Sequence, residues 1–118
     1  MLIKETDGKI NFIDENDVFV GFDVREQCSE DFGYFISTKK QYKICRGDDV
    51  DVSGYTFNTS KRPIEKEVSD DAGCDVLGMV IFKLVKPGNK NLYLHLYNFH
   101  NGYYAHGWED SLGRSGLL

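Results

Sequence analysis

A chain of 118 residues with 41% apolar and 14% aromatic side chains is long enough to bury one core and too hydrophobic to stay disordered. Its net charge of −5 excludes a grip on DNA or RNA backbone, which needs concentrated Lys and Arg. The longest apolar run, Val76–Phe82, is too short to cross a bilayer as a helix, and the first ten residues lack the charged and apolar regions of a signal peptide.

The expectation is therefore one β-rich domain over residues 1–118, cytoplasmic, without membrane or nucleic-acid partners and without a cofactor. Its first element is a hairpin over Lys9–Asp23, where the polar turn DEND separates two β-branched and aromatic runs. The stretch VREQCSE that follows Asp23 reads as a loop or one helical turn. Phe32–Ser37 reads as a strand, with Gln41–Cys45 as its candidate partner. The middle, Arg46–Asp75, is rich in Asp, Ser and Gly and is interrupted by Pro63. Within it, GYTF suits a short strand and IEKEV one helical turn. The C-terminal part is the clearest: Val76–Val85, a Pro-Gly-Asn turn, Leu92–His100, an Asn-Gly turn and Tyr103–Glu109 read as a three-stranded meander. Residues 110–118 carry no periodicity and are expected to fray. The fold class is thus mainly β, an antiparallel two-layer or rolled sheet with little helix.

The meander collects the three histidines and the single tryptophan. With Asn101-Gly102 as a two-residue type I′ turn, Phe99 faces Tyr104, Tyr97 faces His106 and His95 faces Trp108. Alternation then sets Tyr93, His95, Tyr97, Phe99, Tyr104, His106 and Trp108 on one side. Leu92, Leu94, Leu96, Asn98, His100 and Ala105 fall on the other. Pairing Lys86 with Asn91 adds Val80, Phe82 and Leu84 to the aromatic side, and Met79, Ile81 and Val85 to the leucine side. A strand apolar on both faces is covered on both faces, so the aromatic side reads as a second core layer or a half-open groove. A ligand face would comprise Tyr93, His95, Tyr97, Tyr104, His106 and Trp108. His95 and His106 are diagonal neighbours in this register. A metal site would need a third ligand there, and acid–base catalysis an adjacent cation; Lys83 falls on the opposite face. No metal and no catalytic residue is assigned.

Cys28, Cys45 and Cys74 are odd in number and never closely paired, which removes zinc-ribbon and CxxC readings. Free, mostly buried thiols in a reducing compartment are expected. DDVDVSG, Asp48–Gly54, spaces its acids like a calcium loop but lacks the closing Glu and the Gly spacing of an EF-hand. No P-loop, nucleophile elbow, dinucleotide fingerprint or HExxH occurs.

Two segments, NFIDENDVFVGFD continuing into REQCSEDFGYFIS, and LYLHLYNFHNGYYAHGWE, together resemble an uncharacterised family of small bacterial proteins. The resemblance covers the first and last thirds of the chain and implies a bacterial origin. Family members tend to carry a double cysteine where this chain has Cys28-Ser29, so no role for a cysteine pair carries over.

Small size, a start at Met1, acidic charge and the lack of a catalytic motif lead to the expectation of an immunity or inhibitor protein. Its partner would be a basic toxin domain, a nuclease by preference, bound through Asp48, Asp49, Asp51, Asp70 and Asp71. The alternatives are a ligand-binding module using the aromatic face, and a small hydrolase or nuclease using His95 and His106.

Overall fold

The computed structural model describes residues 1–69 and 75–118; Asp70, Asp71 and Cys74 lie outside them. The described residues form ten strands: β1 (Leu2–Thr6), β2 (Lys9–Ile13), β3 (Phe19–Asp23), β4 (Asp31–Ser37), β5 (Thr56–Phe57), β6 (Ile64–Ser69), β7 (Val76–Val85), β8 (Leu92–His100), β9 (Gly107–Asp110) and β10 (Ser115–Leu117). Among them there is no helix long and apolar enough to cross a membrane. One sheet has the order β1-β2-β3-β9-β10; the other runs β4-β8-β7-β5, with β6 also on β7. All pairings are antiparallel.

The sheets pack face to face. Phe12, Val20, Phe22 and Trp108 from the first meet Ile36, Phe82, Leu94 and Leu96 from the second in one core. Edge-on ring contacts tie the layers together: Phe12 to Tyr34 at 5.0 Å, and Trp108 to Phe82 at 5.3 Å. The expected antiparallel, mainly β architecture is therefore present, as is the Lys9–Asp23 hairpin, with Lys9 opposite Asp23. β1, unread in the sequence, joins β2 through Asp7-Gly8, both at positive φ (52° and 76°). That is the type I′ geometry that Asp-Gly favours.

The C-terminal strands follow one another in antiparallel succession, but the third changes sheet. β8 already has β7 on one edge and β4 on the other, so it has no free edge for residues after Asn101-Gly102. Asn101 folds locally instead, its Oδ1 accepting Tyr103 N–H, and β9 pairs with β3. The expected facing of Tyr104, His106 and Trp108 against β8 is thereby overturned.

The β7–β8 register also differs, by one residue. Leu84 faces Leu92, not Tyr93. Pro87 and Gly88 (φ 75°) fill a turn closed by Asn89 N–H on Lys86 O, which suits Pro then Gly at the central positions. A one-residue slip exchanges faces. Met79, Ile81 and Lys83 thus share the outer face with Tyr97, His95 and Tyr93, while Val80, Phe82 and Leu84 join the leucines inside.

Three further expectations are corrected. Gln41–Cys45 forms no strand; it folds over the outer face, where Cys45 packs against Phe35, Met79 and Ile81. Ile64–Ser69 is a strand, not a helical turn, because β7 offers it an open edge. Residues 110–118 do not fray: β10 pairs with β9, and Leu118 is buried, exchanging backbone bonds with His106.

Candidate functional site

Asp48, Asp49 and Asp51 lie in a segment that reaches across one end of the sandwich. Asp48 Oδ2 accepts Thr38 N–H at 2.8 Å and the Thr38 hydroxyl at 3.3 Å. Asp51 Oδ1 accepts Ser53 N–H at 2.9 Å. Hydrogen bonds from the Ser53 backbone and side chain hold the Asp51 carboxyl below its ordinary range, and Lys86 adds to this. The β2–β3 turn is tied to β5 through the buried Asp14. Its Oδ1 accepts Asn16 and Val18 N–H, and its Oδ2 accepts Phe57 N–H at 2.8 Å. Glu15, Asp17 and Asp49 remain exposed around this end. In the sequence Glu15 and Asp17 read only as part of the polar DEND turn. The Asp14–Phe57 bond ties their turn to β5, the strand that follows the Asp51 segment in the chain. Asp70 and Asp71 are outside the described residues. Ser69, just before them, pairs with Val76, at the far end of β7 from Val85.

The aromatic face is dispersed. Tyr93 and Tyr97 are half-buried on the outer face of the second sheet. Burial pushes the Tyr97 hydroxyl up, with help from Asp31. Tyr104 sits in the β8–β9 loop, its hydroxyl pushed up first by a hydrogen bond with Cys28. Trp108 is in the core between the sheets.

His95 and His106 do not share a face, and neither is accessible. His95 stacks on Phe35 at 4.2 Å. Its Nε2 accepts Gln41 N–H at 2.9 Å, so the proton lies on Nδ1, which donates to Tyr93 O at 3.0 Å. Burial lowers its pKa, and the ring is a neutral strut for the overlying segment.

His106 is wedged at the opposite layer, stacked on Phe32 at 4.2 Å. Its Nδ1 lies 2.6 Å from Asp23 O and its Nε2 2.6 Å from Glu30 Oε2. Glu30 is equally inaccessible. Burial pushes the Glu30 carboxyl up, but the His106 bond and the N–H groups of Cys28 and Gln27 outweigh it and bring it to about 2. Both ring nitrogens lie against oxygens, Nδ1 against a backbone carbonyl and Nε2 against the Glu30 carboxyl. Glu30 was missed in the sequence, where nothing separates it from the solvated acids beside it.

Among the described residues no three His, Cys, Asp or Glu side chains gather as a metal site. Cys28 is exposed, contrary to the expected burial, and Cys45 half-buried; both are free thiols. The chain matches no family model, and no curated protein or solved structure matches it.

Proposed function

We propose that this chain is a small, non-enzymatic bacterial binding protein of the immunity or inhibitor type, neutralising a basic toxin domain, a nuclease by preference, through direct contact. The observation that carries this reading is the acidic end of the sandwich. Asp14 with both carboxylate oxygens, and Asp48 and Asp51 with one each, accept backbone N–H groups of the segments they organise. Glu15, Asp17 and Asp49 therefore project from loops that are ordered before any partner arrives. Loops fixed in advance lose less entropy on association. Their charge speeds encounter with a cationic surface. A cytoplasmic setting belongs to the same proposal, and the exposed free thiol of Cys28 suits a reducing compartment.

The two alternatives lose the geometry on which they rested. The ligand face is divided between the outer layer, a loop and the core. The two histidines use both ring nitrogens in structural bonds.

The test measures association between the chain and the products of the reading frames adjacent to its gene, at two ionic strengths. One basic product should bind, faster at low salt. Reversing Glu15, Asp17 and Asp49 to Lys should slow association and flatten its salt dependence while the fold persists. The proposal fails if no adjacent product binds, or if the reversed variant binds as fast as the original.

A further inference from the structure

β7 is covered discontinuously on one edge. β5 pairs with it at Val85 and Leu84, and β6 pairs from Ile81 onward. Between them the chain from Asn58 to Pro63 swings away, bonded to β7 through Asn58 N–H to Lys83 O at 2.9 Å and to Arg114 Nη1 through Lys61 O at 3.2 Å. The gap opens a recess of about 120 Å³ at this edge of β7, lined by inner-face residues such as Phe57 and Phe82 and by the outer-face residues Ile81, Lys83 and Tyr93. Its apolar walls include Val18, Phe57, Ile81 and Phe82.

Five cationic side chains and one carboxylate line this cavity. The carboxylate is already used. Asp110 Oδ2 binds Arg114 Nε at 2.7 Å, and its Oδ1 accepts the N–H groups of Leu112 and Arg114. That leaves Lys40, Lys61, Arg62 and Lys83, none in an ion pair among the described residues. Lys40 lies 5.8 Å from the ring centroid of Tyr93, which also lines the cavity. Four of the fourteen Lys and Arg residues of an acidic chain thus line one recess. Their mutual repulsion is relieved by a bound anion.

We propose that this recess binds a small organic phosphate monoester, with the phosphate among Lys83, Arg62 and the two flanking lysines and the organic body against Phe57 and Phe82. A dianion answers several cations better than a carboxylate does, and guanidinium with ammonium groups matches phosphate oxygens. The apolar walls call for more than inorganic phosphate. The recess adjoins the β2–β3 turn, since Val18 and Phe57, which line it, are bonded to Asp14, but the proposal does not depend on the inhibitor reading.

The test is calorimetric titration with phenyl phosphate, inorganic phosphate, benzoate and benzyl alcohol. Phenyl phosphate should bind saturably, one per chain, about tenfold or more tighter than each of the others. The amide signals of Asn58, Lys83 and Tyr93 should shift on binding. Arg62→Gln with Lys83→Gln should weaken binding about tenfold or more, while Lys4→Gln on the far sheet leaves it unchanged. Arg62→Gln alone, at an exposed position, gives the same reading if the double variant folds poorly. The phosphate assignment is overturned if benzoate binds as tightly as phenyl phosphate. The site is overturned if no probe saturates, or if the Arg62 variant binds as the parent does.

Discussion

Two buried acids show how single side chains organise this fold. Asp14 accepts three backbone N–H groups and joins the β2–β3 turn to β5. Replacing it by Ala strands the buried Phe57 N–H and should cost about 1–3 kcal/mol, read as a lower midpoint in denaturant. Glu30 acts through charge. Its carboxyl lies at about 2 in the folded chain, against an ordinary value of 4.5. A depressed folded-state pKa contributes stability that is complete above the unfolded value and is lost as pH falls through the folded one. Glu30→Gln should therefore lower the melting temperature most at pH 7. The gap to the parent should start to close below about pH 4.5 and should have narrowed strongly near pH 2. A gap that stays constant with pH would show that packing, not charge, is what Glu30 supplies.

At the scale of elements, β8 is the axis of the second sheet, bonded on both edges and apolar on both faces. Leu94 is fully buried there, facing the first sheet. Leu94→Ala should cost about 2–5 kcal/mol, and amide exchange in β8 should be the slowest in the molecule. A cost below about 0.5 kcal/mol would remove β8 from its central place. The β1–β2 hairpin depends on its turn instead. Gly8 sits at φ 76° with a side chain of Arg25 over it. Gly8→Ala forces a left-handed alanine at about 1–2 kcal/mol and displaces that side chain. Its effect should appear as faster amide exchange confined to β1 and β2.

For the whole molecule, exposed carboxylates stand on the β2–β3 turn and the segment after β4, while four cations in no ion pair among the described residues line the recess beside β7. A chelator should leave the melting temperature unchanged, since the described residues bring no ligand set together. A fall in melting temperature that zinc reverses would contradict this.

The sequence by itself determined what local chemistry can carry. Turn residues and β-branched runs marked the Lys9–Asp23 hairpin, β4, β5, β7 and β8, and hence an antiparallel, mainly β domain. Alternation within β8 correctly set His95 and His100 on opposite faces. Asp7-Gly8 carried as strong a turn signal as Asn101-Gly102, yet only the first closes a hairpin. The difference is tertiary: β4 occupies the edge of β8 that the second would have used. Register at β7 was equally beyond the sequence. Both faces of that strand are apolar, so a slip of one residue leaves the pattern intact while exchanging every neighbour. The ion pair of Glu30 with His106, the acidic end and the cationic recess each join residues far apart in the chain. Periodicity reports which side of its own strand a residue occupies. Which distant strand lies opposite is decided only when the two sheets close on each other.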